Sequence, residues 1–318
     1  MTQYARAAQL DPSYAPAHEA AARVYLALGM PSEAEVAYGK LAELRREDLD
    51  VLLGLARARE ARDALEEAVE PLSRAAQLRP GDAGVHRCLA RALRAAGRDD
   101  EAVDALKRAM QAAPGDVEVA AELAEACRAT GRGFDLIDAL VEARDRKPDD
   151  ARIRALLARA YLDSGKAAEA LSEASAAAER DATVRQAQAI LGRLHREADR
   201  VEDAIKAYRA AVASPEQHVE DWIALAYCYR DAGQLERALD AARRAVRLGE
   251  SSAAAHRALG ELLAQQGDGA QAAQSFERAV ALDAGDFEAL VGLGEARTAS
   301  GQHEEAVHLP EEGGRAAQ

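Results

Sequence analysis

The sequence predicts an all-α solenoid, with helix pairs stacked along one line and no β-sheet. Three observations predict it. Small residues recur every 34 positions, at Ala22, Ala56, Ala90, Ala124, Ala158, Gly192, Ala226, Gly260 and Gly294, and all but the first follow a leucine. A second series lies twelve residues further on, at Ala34, Ala68, Ala102, Ala170, Ala204, Ala238, Ala272 and Ala306, with Leu136 the one exception. Within each period the apolar positions are three and four residues apart, the spacing of a helix face. A fixed period of this length marks stacked repeats, each burying its apolar face only against its neighbours.

Taken in order, each repeat holds two helices of about a dozen residues. With Ala15 as position 1, repeats begin at Ala15, Leu49, Ala83, Val117, Ala151, Arg185, Val219, Ala253 and Phe287. The first helix has its apolar stripe at positions 4, 7, 8 and 11. Asp48, Asp82, Asp116, Asp150, Ser252 and Asp286 stand just before a first helix, where a short polar side chain accepts the free N–H groups of the first turn. A glycine then divides the pair in seven repeats, at Gly29, Gly97, Gly131, Gly165, Gly233, Gly267 and Gly301. Glycine takes the left-handed conformation that ends a helix. The second helix has its stripe at positions 20, 21, 24, 27 and 28. Small residues at 8 and 20 let the two helices approach closely. Residues 1–14 read as the second helix of a partial preceding repeat, with Tyr4, Ala7 and Pro12 at positions 24, 27 and 32. The array runs over 15–309 as one quasi-linear domain, and 310–318 read as a polar tail.

These residues resemble the tetratricopeptide repeat family. Repeat 219–252 shows the pattern well: Trp222, Leu225, Ala226, Tyr229, Ala238 and Ala245, while Pro12, Pro80, Pro114 and Pro148 occupy position 32. The resemblance implies a right-handed superhelix whose first helices line a concave face, with ligand contacts at positions 2, 5, 9, 12 and 13. Departures fall at position 11 (Arg59, His195, Arg297) and position 24 (Ala174, Ala242), where poorer packing is expected. Repeat 185–218 adds Gln188 at position 4 and Asp199 in place of the dividing glycine, and is expected to open more easily than its neighbours.

Composition excludes several function classes. The net charge of −14 disfavours a general nucleic-acid surface. No apolar run of 18 residues predicts membrane insertion, and the N-terminus lacks a charged-then-apolar leader pattern. The three cysteines, Cys88, Cys127 and Cys228, are far apart and read as small buried residues of a cytoplasmic protein, or of a periplasmic one whose leader was removed. Asparagine is absent and arginine far outnumbers lysine, which fits a GC-rich bacterial genome.

Apparent catalytic motifs fail on spacing. In His303-Glu304-Glu305-Ala306-Val307-His308 the second histidine comes one residue too late to share a helix face with the first. Gly267-Asp268-Gly269 follows a helix rather than a strand and reads as an inter-helix turn. His18, His86 and His256 all fall at position 4, where the repeat needs a packing residue. The expectation is a protein without catalytic, cofactor or metal residues.

Position 9 reads Arg23, Arg57, Arg91, Glu125, Arg159, Arg193, Tyr227, Glu261 and Glu295. Repeat 83–116 concentrates this charge, with Arg87, Arg91 and Arg94 at positions 5, 9 and 12, flanked by Arg57 and Arg128. Arg196 occupies position 12 of its repeat. The candidate ligand groove is therefore Arg23, Arg57, Arg87, Arg91, Arg94, Arg128, Arg159, Arg193, Arg196 and Tyr227. Two readings stay open. The guanidinium fork suits carboxylates of an acidic peptide or protein segment. Alternatively, Arg91 and its neighbours pair with Glu60 and Glu125 on adjacent helices.

The expected function is a protein-interaction scaffold. Alternatives are the substrate-recruiting or regulatory region of a larger enzyme, and a scaffold for pilus assembly or exopolysaccharide export. Pro310 at position 24 and Gly313-Gly314 at 27–28 cut the last repeat short. The chain thus looks like part of a longer array or one whose ends are covered, and end-to-end self-association is expected.

Overall fold

The computed structural model describes residues 3–301, and among them there are 18 α-helices and no strand. Two compact units divide after Ser164. The first holds α1 (Gln3–Leu10), α2 (Ala15–Ala27), α3 (Pro31–Leu44), α4 (Leu49–Ala61), a 3-10 turn (Leu65–Ala68), α5 (Val69–Leu78), α6 (Ala83–Ala95), α7 (Asp99–Ala112), α8 (Val117–Thr130), α9 (Gly133–Arg146) and α10 (Ala151–Asp163). The second holds α11 (Ala167–Arg180), α12 (Arg185–Glu197), α13 (Val201–Val212), α14 (Val219–Asp231), α15 (Leu235–Leu248), α16 (Ala253–Gln266), α17 (Gly269–Leu282) and α18 (Phe287–Ala299). Even-numbered helices are the first helices of repeats and odd-numbered ones the second. Within each unit successive helices pack on one another, and first helices also meet directly, as α8 with α10 and α14 with α16.

Local chemistry sets these boundaries. The side chains of Asp48, Asp82, Asp116, Asp150, Ser252 and Asp286 each accept an N–H from the first turn of the helix that follows, at 3.0 to 3.4 Å. The seven dividing glycines all have positive φ. In the two repeats without one, Asp63 (φ 61°) and Asp199 (φ 56°) adopt the same left-handed turn. The small residues of both 34-residue series are buried wherever they are described, apart from the half-buried Gly294, and they bring paired helices together.

Two glycines of the first series, and two at position 6, answer aromatic neighbours. A Cβ at Gly192 would overlap the Tyr208 ring, and one at Gly260 or Gly292 would overlap Phe276. Gly54 stands in the same relation to Tyr38. An aromatic ring at position 24 thus demands the loss of a methyl group on a facing first helix.

Position 4 has a role beyond packing. His18, His86 and His256 each bring Nε2 to a backbone carbonyl six residues earlier, those of Pro12, Pro80 and Glu250, at 2.9 to 3.1 Å. Arg154 and Gln188 donate to the corresponding carbonyls of Pro148 and Ala182. In five repeats, then, a polar side chain at this position ties a first helix to the turn that precedes it.

The second repeat departs from the pattern. Its second helix begins as a 3-10 turn, because Pro71 has no N–H to donate to the carbonyl of Glu67. That carbonyl accepts instead from Arg59, whose Nε also bonds Glu35 at 3.0 Å. Arg59 at position 11 therefore supplies hydrogen bonds where poorer packing was expected. Arg297, likewise at position 11, pairs with Glu277 at 2.8 Å. At His195 the ring Nδ1 is buried with no hydrogen-bond partner among the described residues. The two position-24 alanines, Ala174 and Ala242, are fully buried.

Cys127 and Cys228 are buried, and burial pushes both thiols up to about 11, whereas Cys88 is half-buried. No described helix is long and apolar enough to cross a membrane. The His303–His308 motif, Ala306, the 310–318 tail, Pro310 and Gly313-Gly314 lie outside the described residues.

Candidate functional site

Three of the five clustered arginines are ion-paired along the first helices of the first unit. Arg87 on α6 donates to both carboxylate oxygens of Glu122 on α8, at 2.6 and 3.4 Å, and to Glu118 at 3.2 Å. These bonds raise its already high pKa. Arg91 reaches back to Glu60 on α4 at 2.9 Å, and Arg94 forward to Glu125 on α8 at 2.8 Å. The hydrogen bond from Arg94 holds the Glu125 carboxyl below the ordinary glutamate range. Of the two readings of the sequence, adjacent-helix pairing is what Arg91 and Arg94 adopt. Glu122, at position 6, lies outside the expected contact positions, and its part in the cluster was not foreseen.

Arg57 and Arg128 are exposed and have no ion-pair partner among the described residues. Three further arginines pair one turn along their own helix: Arg23 with Glu19, Arg159 with Asp163, and Arg193 with Glu197, at 2.6 to 2.9 Å. In the second unit Arg196 bonds Asp231 at 2.9 Å. It also flanks the Tyr227 ring, 5.6 Å from the centroid, while Arg230 lies 4.7 Å away. The Tyr227 hydroxyl donates to Glu261 at 3.0 Å, and burial, then the Glu261 charge, raises its pKa. The ten candidate residues thus fall into separate groups, and none of these groups resembles a catalytic constellation.

A cavity of about 300 Å³ opens between α4, the 3-10 turn with α5, and α6. Leu53, Ala56, Leu72 and Val85 make its apolar walls, while Arg57, Glu60, Arg91 and Cys88 stand at its polar edge. Position 24 is Leu72 here, smaller than the rings of Tyr38, Tyr208 and Phe276 at the same position, and Gly84 adds no side chain. Arg57 is the one rim guanidinium with no carboxylate partner among the described residues.

Tetratricopeptide repeat models match residues 19–83, 155–219, 189–253 and 223–287, with further repeat models of the same description at 83–126 and 263–318. No curated protein matches the chain significantly. Solved structures share the fold at low identity. The Cut9-Hcn1 hetero-tetramer of the APC/C is 14% identical with a TM-score of 0.55, over 90% of this chain and 56% of that one. A tetratricopeptide repeat protein from Parabacteroides merdae is 14% identical with a TM-score of 0.54, over 78% of this chain and 98% of that one. Pseudomonas aeruginosa pilF is 17% identical with a TM-score of 0.51, over 70% of this chain and 99% of that one.

Proposed function

The chain belongs to the tetratricopeptide repeat family, and from that premise we propose that it is a binding scaffold, without chemistry of its own, that seats a polypeptide segment on the first-helix face of its first unit. The observation that carries this reading is the apolar cavity beside α4 and α6, with the unpaired Arg57 at its rim. An apolar side chain of the ligand enters the cavity and a neighbouring carboxylate meets Arg57.

Magnitudes narrow the acidic preference. Each exposed pair contributes roughly 0.2–1 kcal/mol. A ligand carboxylate that takes Arg87, Arg91 or Arg94 must displace Glu122, Glu60 or Glu125, so the exchange gains close to nothing. The net attraction rests on Arg57 and Arg128. A leucine-sized side chain adds about 1.5–3 kcal/mol on burial. Together these fall short of the roughly 8 kcal/mol of micromolar binding, so the segment must extend along several first helices.

Cys88 supplies the test, because it lines the cavity while the other two thiols are buried. Peptides selected from a random library by the purified protein are expected to protect Cys88 from maleimide, and Arg57→Glu is expected to weaken those with an acid beside the apolar anchor. Selected peptides that bind while Cys88 reacts as fast as in the free protein would overturn this reading.

A further inference from the structure

The second unit contains an arginine-lined cavity at positions outside the groove set. It measures about 560 Å³ and lies between the second helices α13 and α15, over α14. Arg209 comes from α13, and Arg237, Arg244 and Arg247 from α15. Trp222 and the buried Leu225 of α14 lie between them. The volume is in the range that takes a small ligand or a side-chain cluster.

The charge here is not neutralised. Asp240 is the one carboxylate lining the cavity, and it lies 3.8 Å from Arg243, which is not a lining residue. Arg237 donates to the neutral amide oxygen of Gln234 at 2.8 Å. Arg244 sits over the Trp222 ring, 5.9 Å from its centroid. Arg209, Arg244 and Arg247 have no ion pair among the described residues. Helix ends account for part of this: Arg209 and Arg247 stand in the last turns of α13 and α15, where a cation is favoured. They do not account for four guanidinium groups meeting around one indole in a protein of net charge −14. Screening acts over about 8 Å at physiological salt, so an approaching ligand responds to the local cluster more than to the net charge.

We propose that this cavity is a second docking site, separate from the first-helix groove, for an acidic polypeptide segment with an apolar side chain between its carboxylates. The apolar side chain lies on Trp222 and Leu225, and carboxylates on either side meet Arg209 from α13 and Arg244 with Arg247 from α15. Among the described residues the carboxylates displace no acidic partner of Arg209, Arg244 or Arg247, so no existing ion pair is exchanged for the new ones.

Trp222 is the single tryptophan of the chain, so intrinsic fluorescence reports on this cavity directly. The full chain is titrated with acetyl-Glu-Glu-Leu-Glu-Glu-amide and with the same peptide carrying Gln at every Glu. The acidic peptide is expected to give a saturable change that weakens with salt, and the Gln peptide none. Arg244→Gln with Arg247→Gln is expected to weaken binding by about tenfold, the loss of two exposed pairs. Both side chains are exposed, and an unchanged far-UV circular dichroism spectrum and thermal midpoint will verify the fold. Arg57→Glu serves as the groove control and leaves the titration unaltered, so failure here is distinct from failure of the groove reading. Equal binding of the Gln peptide, or of the double variant, would refute the site. An identical saturable change with inorganic phosphate would assign the cavity to a small oxyanion and refute the polypeptide proposal.

Discussion

Arginine gathers in two places, one in each unit, and the two differ in what faces the guanidinium groups. On α6, Arg87, Arg91 and Arg94 are met by Glu122, Glu60 and Glu125. Around Trp222, Arg209, Arg244 and Arg247 meet no carboxylate among the described residues. On first helices, lateral partners lie 31 to 36 residues apart, as in Arg91–Glu60, Arg94–Glu125, Arg87–Glu122 and Arg185–Asp221. The same separations from Arg209, Arg244 and Arg247 include Asp240, Glu277 and Asp283, but Asp240 lies by Arg243, Glu277 bonds Arg297 and Asp283 accepts from the Gly285 N–H. A count of arginines along a helix therefore says little about available charge. What matters is which carboxylate each guanidinium group holds.

The largest effect is expected where a matched pair is also buried. Asp221 is 5% exposed and holds Arg185 at 2.9 Å between α12 and α14. Removing one partner of a buried pair costs about 3–5 kcal/mol. Arg185 is partly solvated, so Asp221→Ala is expected to cost about 2–3 kcal/mol. Urea unfolding followed by circular dichroism measures this, and a cost under about 0.5 kcal/mol would mean that solvent already screens the pair.

The next effect compares the two repeats that lack a dividing glycine, one in each unit. Asp63 and Asp199 both hold a left-handed turn, which costs an ordinary residue roughly 1–2 kcal/mol. Asp63→Gly and Asp199→Gly are each expected to stabilise by about 1 kcal/mol. A lower thermal midpoint in either would show that the aspartate makes a compensating contact.

Much of this was legible in the sequence. The period fixed where first helices begin, and the aspartates and glycines marked their caps and stops, because these depend on a residue and its near neighbours. The second repeat was less legible, since Pro71 acts through a carbonyl that Arg59 recovers from another helix. The position-4 hydrogen bonds were readable in principle, because His, Arg and Gln share one register position and one distance to the preceding turn. The charge pattern of the groove needed the pairing of Glu122 at position 6, a position that the family resemblance assigns to neither packing nor ligand. The cavity at Trp222 was hidden because its arginines come from two second helices, α13 and α15, and meet only in the folded stack.

Acid should separate the two units. Burial, and then the charge of Arg200, lowers the pKa of His195 in the second unit. Its folded value lies below its unfolded value near 6.5, so the unfolded chain gains the proton first and stability declines as pH falls from about 6.5. In the first unit, hydrogen bonds from Arg94 to Glu125, and from Lys107 and Arg132 to Asp135, hold those carboxyls low. Their contribution is full above the unfolded values, about 4, and is lost only as pH falls through the folded ones. Hydrogen exchange at pH 5.5, corrected for intrinsic rates, is expected to show α12 and α13 opening more than at pH 7.5, with α7 to α9 unchanged. His195→Leu should remove the difference. Equal acid sensitivity of both segments would break this contrast.

The smallest change in stability provides the sharpest test of the comparison. Glu60→Gln with Glu125→Gln removes the partners of Arg91 and Arg94, which are exposed pairs worth roughly 0.2–1 kcal/mol each. Folding should therefore change little. The charge should change greatly, since Arg91 becomes unmatched at the edge of the cavity at Cys88 and Arg94 becomes unmatched further along α6. The first unit would then resemble the second in the property proposed to attract acidic segments. The peptide acetyl-Glu-Glu-Leu-Glu-Glu-amide is expected to protect Cys88 from maleimide more strongly in this variant than in the parent chain, with the gain disappearing at high salt. Its effect on Trp222 fluorescence should be the same in both. If protection of Cys88 does not increase, the availability of guanidinium charge does not govern binding in this molecule, and the apolar walls of the cavity alone determine what it holds.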